Sequence, residues 1–312
     1  MTDRPFVLVV NPQAGAGRAE ARLPKLAEAL RAAGATFDVV RTDGPGHAPR
    51  LVREALRRGA PGVAVVGGDG TFNEAVNGFF DDQGDPVAPE AWIAPLPCGT
   101  GGDFRRTIGM ERRTRAMAAH LAGARPRPMD VGLLRYLDHR GQPQTRFFAN
   151  IASFGIGGLV DKLVNDSPKW MGGTPAFLLG TLRAMARYRN QRVRISVDDR
   201  PPRETRIMNC AVANGRYFGG GMHIAPDARI DDGWFDVVGL ETTGFGQQLR
   251  LTPHVYRGTL LGRPGVTFER GRRVRAEPVE PGEPVLLDVD GEAPGRLPAE
   301  FEMRAGVLRL RA

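Results

Sequence analysis

The run Gly62–Val66 is apolar throughout, ends at Gly67-Gly68-Asp69-Gly70, and passes at once into a helical pattern. A strand with no polar face has to be covered on both sides, which is the situation of a parallel strand inside an α/β sheet. The change from strand to helix occurs at a turn of three glycines and one acid. Glycine leaves backbone N–H groups uncovered, and the helix behind the turn adds the positive end of its dipole. Such a turn suits an anion, above all the phosphates of a nucleotide.

The same arrangement recurs along the first third of the chain. Residues 5–10, PFVLVV, form a short buried strand leading into Asn11–Gly17, NPQAGAG, and a helix over Arg18–Ala33 whose Leu23, Leu26, Ala27 and Leu30 share a face before Gly34. ATFDVVRT is the next strand, and Ala48–Arg58 is a helix ended by Gly59. Thr71–Phe80 is a helix, WIAPLP a fourth strand leading into Pro97–Phe104, PCGTGGDF, and Gly102–Ala122 a helical region. Open α/β sheets bind ligands beyond the carboxyl ends of their strands, where all three glycine loops fall.

Near Gly123–Asp130, GARPRPMD, the pattern changes. VGLLRYL and TRFFANIA flank a polar turn and read as a hairpin. Pro175–Arg189 reads as a helix. RVRISV, RIMNCAVAN, WFDVVGL, GVTFER, RRVRAE, PVLLDVD and GVLRLR follow as short strands. The expected fold is a Rossmann-like three-layer α/β domain over 1–128, with strand 306–311 as a candidate addition, and an antiparallel β-sandwich domain over 129–305.

A formal net charge of +8, carried almost entirely by arginine, suits a polyanionic partner such as a nucleotide or an acidic headgroup. Nucleic acid is disfavoured, because aromatics make up 7% of residues and none interleave with the basic runs. The arginines of RRTRA and GRRVRAE read as a solvated face. Cys98 and Cys210 are too few for a disulfide framework. No signal peptide and no membrane-length apolar run are present in these residues, so the expectation is a cytoplasmic protein able to touch a membrane surface, and compatible with a homodimer. His47, His120, His139, His223 and His254 lack metal-site spacing and read as surface or packing residues.

Thr71 and Glu74 have the spacing of a capping box, and Thr100 and Asp103 repeat it, so helix capping is the preferred reading of Glu74. Asp69 reads either as a turn residue or as part of a magnesium- or phosphate-coordinating network. No Walker A motif occurs, and G-x-G-x-x-G with its downstream acid does not fit the first strand. Without a loop lysine, phosphate charge would fall to Mg²⁺, arginine or helix ends.

NPQAGAG, GGDGTFNEAVNG and PCGTGGDF resemble the three nucleotide loops of the diacylglycerol kinase catalytic family, which includes bacterial lipid kinases and sphingosine kinases. NGRYFGGGMHIAPDARIDDGWFDVV and LDVDGE are similar to that family's C-terminal motifs, so the resemblance covers nearly the whole chain. Gly102 departs from the pattern, which usually has asparagine there. The resemblance implies ATP contacts at Asn11, Thr42, Gly67, Gly68, Asp69, Gly70, Thr71, Phe72, Asn73 and Thr100. It implies a catalytic base at Glu292, with Asp69 as the other candidate. It also implies a structural Mg²⁺ held by the Asp232 carboxylate and the Arg229 and Trp234 carbonyls. The implied reaction is ATP-dependent phosphorylation of a lipid hydroxyl, as in diacylglycerol or a related lipid alcohol, at a membrane surface. The alternatives are a soluble-substrate kinase resembling NAD kinase, or an inactive nucleotide- or lipid-binding regulator. Asp290–Glu292, read without the resemblance, is a polar β-turn. The helix at Pro175 and the stretch FFANIASFGIGG are candidate linings for acyl chains.

Overall fold

The computed structural model describes residues 4–99, 101–158, 160, 188–241, 245–280 and 284–312. Residues 175–187 of the expected helix lie outside them, as does Thr100. The chain divides into two compact units, one of residues 1–131 with 305–312 and one of residues 132–304. No helix among the described residues is long and apolar enough to cross a membrane.

In the first unit, strands β1 (Phe6–Val10), β2 (Phe37–Arg41), β3 (Gly62–Gly67) and β4 (Trp92–Pro97) alternate with helices α1 (Arg18–Ala32), α2 (Ala48–Arg57) and α3 (Asp69–Gly78). Helices α4 (Asp103–Thr107) and α5 (Thr114–Gly123) follow. The strand order is β2-β1-β3-β4, and every pair is parallel. Leu8, Val9, Val10, Val63, Ala64 and Val66 are fully buried, as apolar strands covered on both faces should be. Each such valine or leucine contributes about 1.5–3 kcal/mol relative to exposure. Leu23, Leu26 and Leu30 of α1 and Met117, Ala118 and Leu121 of α5 pack on one side with Phe6, Leu8 and Val10. That matches a period of two in the strand to a period of 3.6 in the helices. The helical region after β4 is two helices rather than one, because Gly109 takes a left-handed backbone (φ 70°) and ends α4.

The second unit holds strands β5 (Arg127–Asp138, its first residues lying in the first unit), β6 (Pro143–Phe148), β7 (Ile151–Gly155), β8 (Gln191–Val197), β9 (Arg203–Ile207), β10 (Asn209–Ala213), β11 (Tyr217–Phe218), β12 (Met222–His223) and β13 (Phe235–Leu240). Helix α6 (Phe245–Arg257) and strands β14 (Val266–Gly271), β15 (Arg273–Pro278), β16 (Leu287–Val289) and β17 (Gly295–Leu310) complete it. β17 runs on into the first unit, where Arg309 and Leu310 pair in parallel with Trp92 and Ile93 of β4.

One sheet of the sandwich is antiparallel, in the order β14-β13-β10-β7-β16. The other is built from β6, β5, β17, β15, β8 and β9. Side chains from both fill one core: Phe148 stacks on Phe235 at 5.6 Å, and Phe154 on Phe301 at 6.0 Å. TRFFANIA and RIMNCAVAN each read as one strand, but each is two. The chain leaves one sheet at Ala149-Asn150, and again at Met208, and enters the other.

Candidate active site

The three glycine loops of the first unit are locked to one another through their backbones. A Cβ on Gly15 would lie 2.3 Å from the Cys98 carbonyl oxygen, and Gly15 is left-handed (φ 63°). A Cβ on Gly99 would lie 2.7 Å from the Gly68 Cα. Asn11 Nδ2 donates to Thr71 Oγ1 at 2.8 Å, tying the first loop to the second. Only glycine permits the two closest approaches.

Asp69, the first residue of α3, reaches across to the third loop. Its Oδ2 accepts from the Gly102 N–H (2.7 Å) and the Asp103 N–H (3.0 Å), and its Oδ1 from the Phe104 N–H (3.4 Å). Asp69 therefore caps α4 from another element. Gly102 is left-handed (φ 72°), the conformation that aims these N–H groups. Asparagine, usual in the family pattern here, is the side chain that tolerates it best.

The Thr71–Glu74 capping box expected from sequence does not form, and Thr100 of the other lies outside the described residues. Thr71 Oγ1 takes the Asn11 side chain, and Glu74 Oε1 accepts the Gly46 N–H at 2.9 Å, joining α3 to the loop before α2. Helices α1, α3 and α4 begin instead on Gly17, Gly68 and Gly102, with no side chain of their own capping them. At α4 the cap is supplied by Asp69. At α1 the Ala19 N–H donates to Ala14 O at 3.2 Å, and the first turns of α1 and α3, without a side-chain cap, suit an anion.

The remaining implied ATP contacts sit around these loops. Thr42 is buried at the end of β2, its N–H donating to Val10 O at 2.9 Å. Phe72 is buried and stacks on Phe104 at 4.7 Å, and Asn73 is fully buried, so both side chains point into the protein interior. Three arginines that no motif marks gather at the third loop. Arg106 donates to Gly101 O (3.0 Å) and Asp103 Oδ1 (2.5 Å), Arg112 to Gly101 O (3.0 Å), and Arg105 to Met110 O (2.8 Å). Burial, then the neighbouring Arg112 and Arg106, lower the Arg105 pKa. Arg112 of the RRTRA run is thus tied to the loop rather than simply solvated.

In the second unit the register brings the C-terminal motifs to one end of the five-stranded sheet. Val289 pairs with Ala152, Ala213 with Ile151 and with Asp236, and Asp236 with Arg270. Asp290 and Gly291 are both left-handed (φ 51° and 86°) and close a tight turn, with Val289 N to Glu292 O at 2.8 Å and Glu292 N to Val289 O at 3.1 Å. The turn reading of Asp-Gly holds as geometry. The Asp290 carboxylate accepts three N–H groups, from Ala149 (3.0 Å), Asn150 (3.2 Å) and Ile151 (2.9 Å), at the point where the chain changes sheets. Glu292 emerges beyond the turn, half-exposed, with Oε2 2.7 Å from Arg146 Nη2.

Asp232 does not present an open carboxylate. Its Oδ1 accepts the Trp234 N–H at 3.1 Å, and its Oδ2 is paired with Arg270, whose Nε also meets buried Asp236 Oδ1 at 3.0 Å. Burial raises the Asp236 pKa, and Arg270 opposes that. A guanidinium thus supplies positive charge at the turn to which the resemblance assigns a structural Mg²⁺. No group of three or more His, Cys, Asp or Glu suited to a metal occurs among the described residues.

Two family descriptions match most of the chain. The diacylglycerol kinase catalytic domain matches residues 5–134, and the YegS C-terminal NAD kinase beta sandwich-like domain matches residues 150–312. The chain belongs to the diacylglycerol kinase catalytic family. Among relatives of this kinase family, a Pseudomonas aeruginosa protein named "Probable lipid kinase YegS-like" is 33% identical over 311 residues, 99% of this chain and 94% of the relative. The diacylglycerol kinase of Bacillus subtilis is 28% identical over 298 residues, 94% of this chain and 91% of that one. A crystal structure of a diacylglycerol kinase from Bacillus anthracis superposes with a TM-score of 0.70 at 21% identity, covering 99% of this chain and 97% of that one, a likeness of fold.

Proposed function

We propose that this family member is an ATP-dependent lipid kinase, moving the γ-phosphoryl group of ATP onto the hydroxyl of diacylglycerol or a related lipid alcohol. The observation that carries the proposal is the pair of helices, α1 and α3, that begin on glycine with no side chain over their first N–H groups. Those groups sit in loops whose backbones interlock, so they are fixed before any ligand arrives. Fixed donors aimed at phosphate charge are what phosphoryl transfer asks of a protein. Arg105, Arg106 and Arg112 add positive charge at the third loop, where a lysine is missing.

Asp69 and Glu292 then take different parts. Both Asp69 oxygens already accept N–H groups, which suits an organiser of the second and third loops. Glu292 has one oxygen on Arg146 and is half-exposed, which suits a proton acceptor. Glu292 takes the proton of the lipid hydroxyl as its oxygen attacks the γ-phosphorus, and the bond to the ADP oxygen breaks. A carboxylate offers about four acceptor positions and Asp69 uses three of them, so it has one left for a magnesium ion arriving with ATP. Such an ion would be held by the phosphates and Asp69 and would screen charge on the transferring group. The substrate lies in a bilayer, so the enzyme works as a peripheral protein at its surface.

Incubation with γ-labelled ATP and either diacylglycerol micelles or NAD tests the proposal. Label in the lipid fraction is expected. Label in NAD alone would replace the lipid acceptor with a soluble one.

A further inference from the structure

Glu292 poses a problem that its turn does not solve. The turn fixes its backbone, but its side chain is 42% exposed, and a long exposed side chain samples many rotamers. A proton acceptor has to be held within hydrogen-bond reach of the hydroxyl it serves.

The short segment from Arg146 to Ile151 meets the turn in two places. At 149–151 its N–H groups hold Asp290. At Arg146 its guanidinium holds Glu292 Oε2 at 2.7 Å. Arg146 sits on β6 opposite Leu134 of β5, and its side chain is 16% exposed, so its charged end is the less mobile partner. We propose that Arg146 is a positioning residue for Glu292, fixing the rotamer from which that carboxylate receives the lipid proton. The inference rests on the reading of Glu292 as proton acceptor. Among the described residues, other titratable groups beside this turn include Tyr136 of β5, His139, whose ring nitrogen meets Ala293 O at 2.9 Å, Asp288, whose Oδ1 accepts the Gly291 N–H at 3.0 Å, and Asp290 itself. Arg146 is the cation paired with the Glu292 carboxylate. A charge-assisted contact from a planar guanidinium sets direction as well as distance, which an ammonium does less well.

The test is a double-mutant cycle on the full chain, with kcat, the KM for ATP and the melting midpoint read for R146M, R146K, E292Q and R146M/E292Q. R146M should lower kcat by roughly tenfold to a hundredfold, the size of effect that a misplaced reacting group produces, with the KM for ATP unchanged. R146K should recover part of the loss, and R146M should cost nothing further in the E292Q background. Should R146M melt below the assay temperature, R146Q takes its place in the cycle. An inactive E292Q beside an R146M of wild-type or higher kcat overturns the inference alone, as does a fully additive double variant. An E292Q that turns over normally overturns the reading of the base, and this inference with it.

Discussion

The two units each carry an Asp-Gly pair in a signature motif, and the structure uses both aspartates in the same way. Asp69 accepts three backbone N–H groups from residues 102–104, and Asp290 accepts three from residues 149–151. The difference lies in what each clamp shapes. Asp69 caps a helix and so joins two of the glycine loops. Asp290 pins the point where the chain passes between sheets, and so holds the turn that carries Glu292. An acid in a motif is thus not by itself the reacting group, since two of these three carboxylates spend their lone pairs on backbone.

Four substitutions and one extraction bear on that comparison. The largest effect is expected from Glu292→Gln, with kcat lower by about 10²–10⁴ and the melting midpoint unchanged, because the side chain carries no fold-building bond to backbone. Steady-state kinetics beside a thermal melt checks both halves. Asp69→Asn should lose turnover and stability together, by about 1–3 kcal/mol, since one amide oxygen cannot replace two charged acceptors. Denaturant titration would show it, and an unshifted midpoint would break the parallel. Asp290→Asn should cost a similar about 1–3 kcal/mol but leave the KM for ATP at its wild-type value, which separates the two clamps. Gly99→Ala should cost about 1–3 kcal/mol by overpacking against Gly68 and raise the KM for ATP. The smallest effect is expected from removing divalent metal. With Asp232 already paired to Arg270, a chelator should move the melting midpoint by no more than about 1 °C, the scale of a weak exposed pair. A large drop would show that a metal, not Arg270, neutralises this turn.

Much of the fold was legible because its signals are local. Apolar runs ending in glycine and followed by 3.6-periodic stripes mark βα units without reference to the rest of the chain. The breaks at Ala149-Asn150 and Met208 were not legible, because the apolar runs continue through them. What stops the first is the Asp290 carboxylate, about 140 residues away in sequence. The Thr71–Glu74 capping box failed for the same reason. Thr71 and Glu74 have the right spacing, but Asn11 and Gly46 reach them from other loops. The glycine loops and the DGE turn stood out as motifs, whereas Arg146, Arg105 and Arg106 are single arginines in an arginine-rich chain, and only tertiary structure gives them a place.

The central claim is that the interlocked glycine loops deliver a phosphoryl group to a lipid hydroxyl. The most direct measurement uses ATP carrying heavy oxygen in its γ-phosphate, a total lipid extract and mass spectrometry of the products. The account predicts a phosphorylated lipid bearing the heavy oxygens, formed by the wild type and reduced by about 10²–10⁴ with Glu292→Gln. Heavy label confined to inorganic phosphate or to a soluble nucleotide would contradict it.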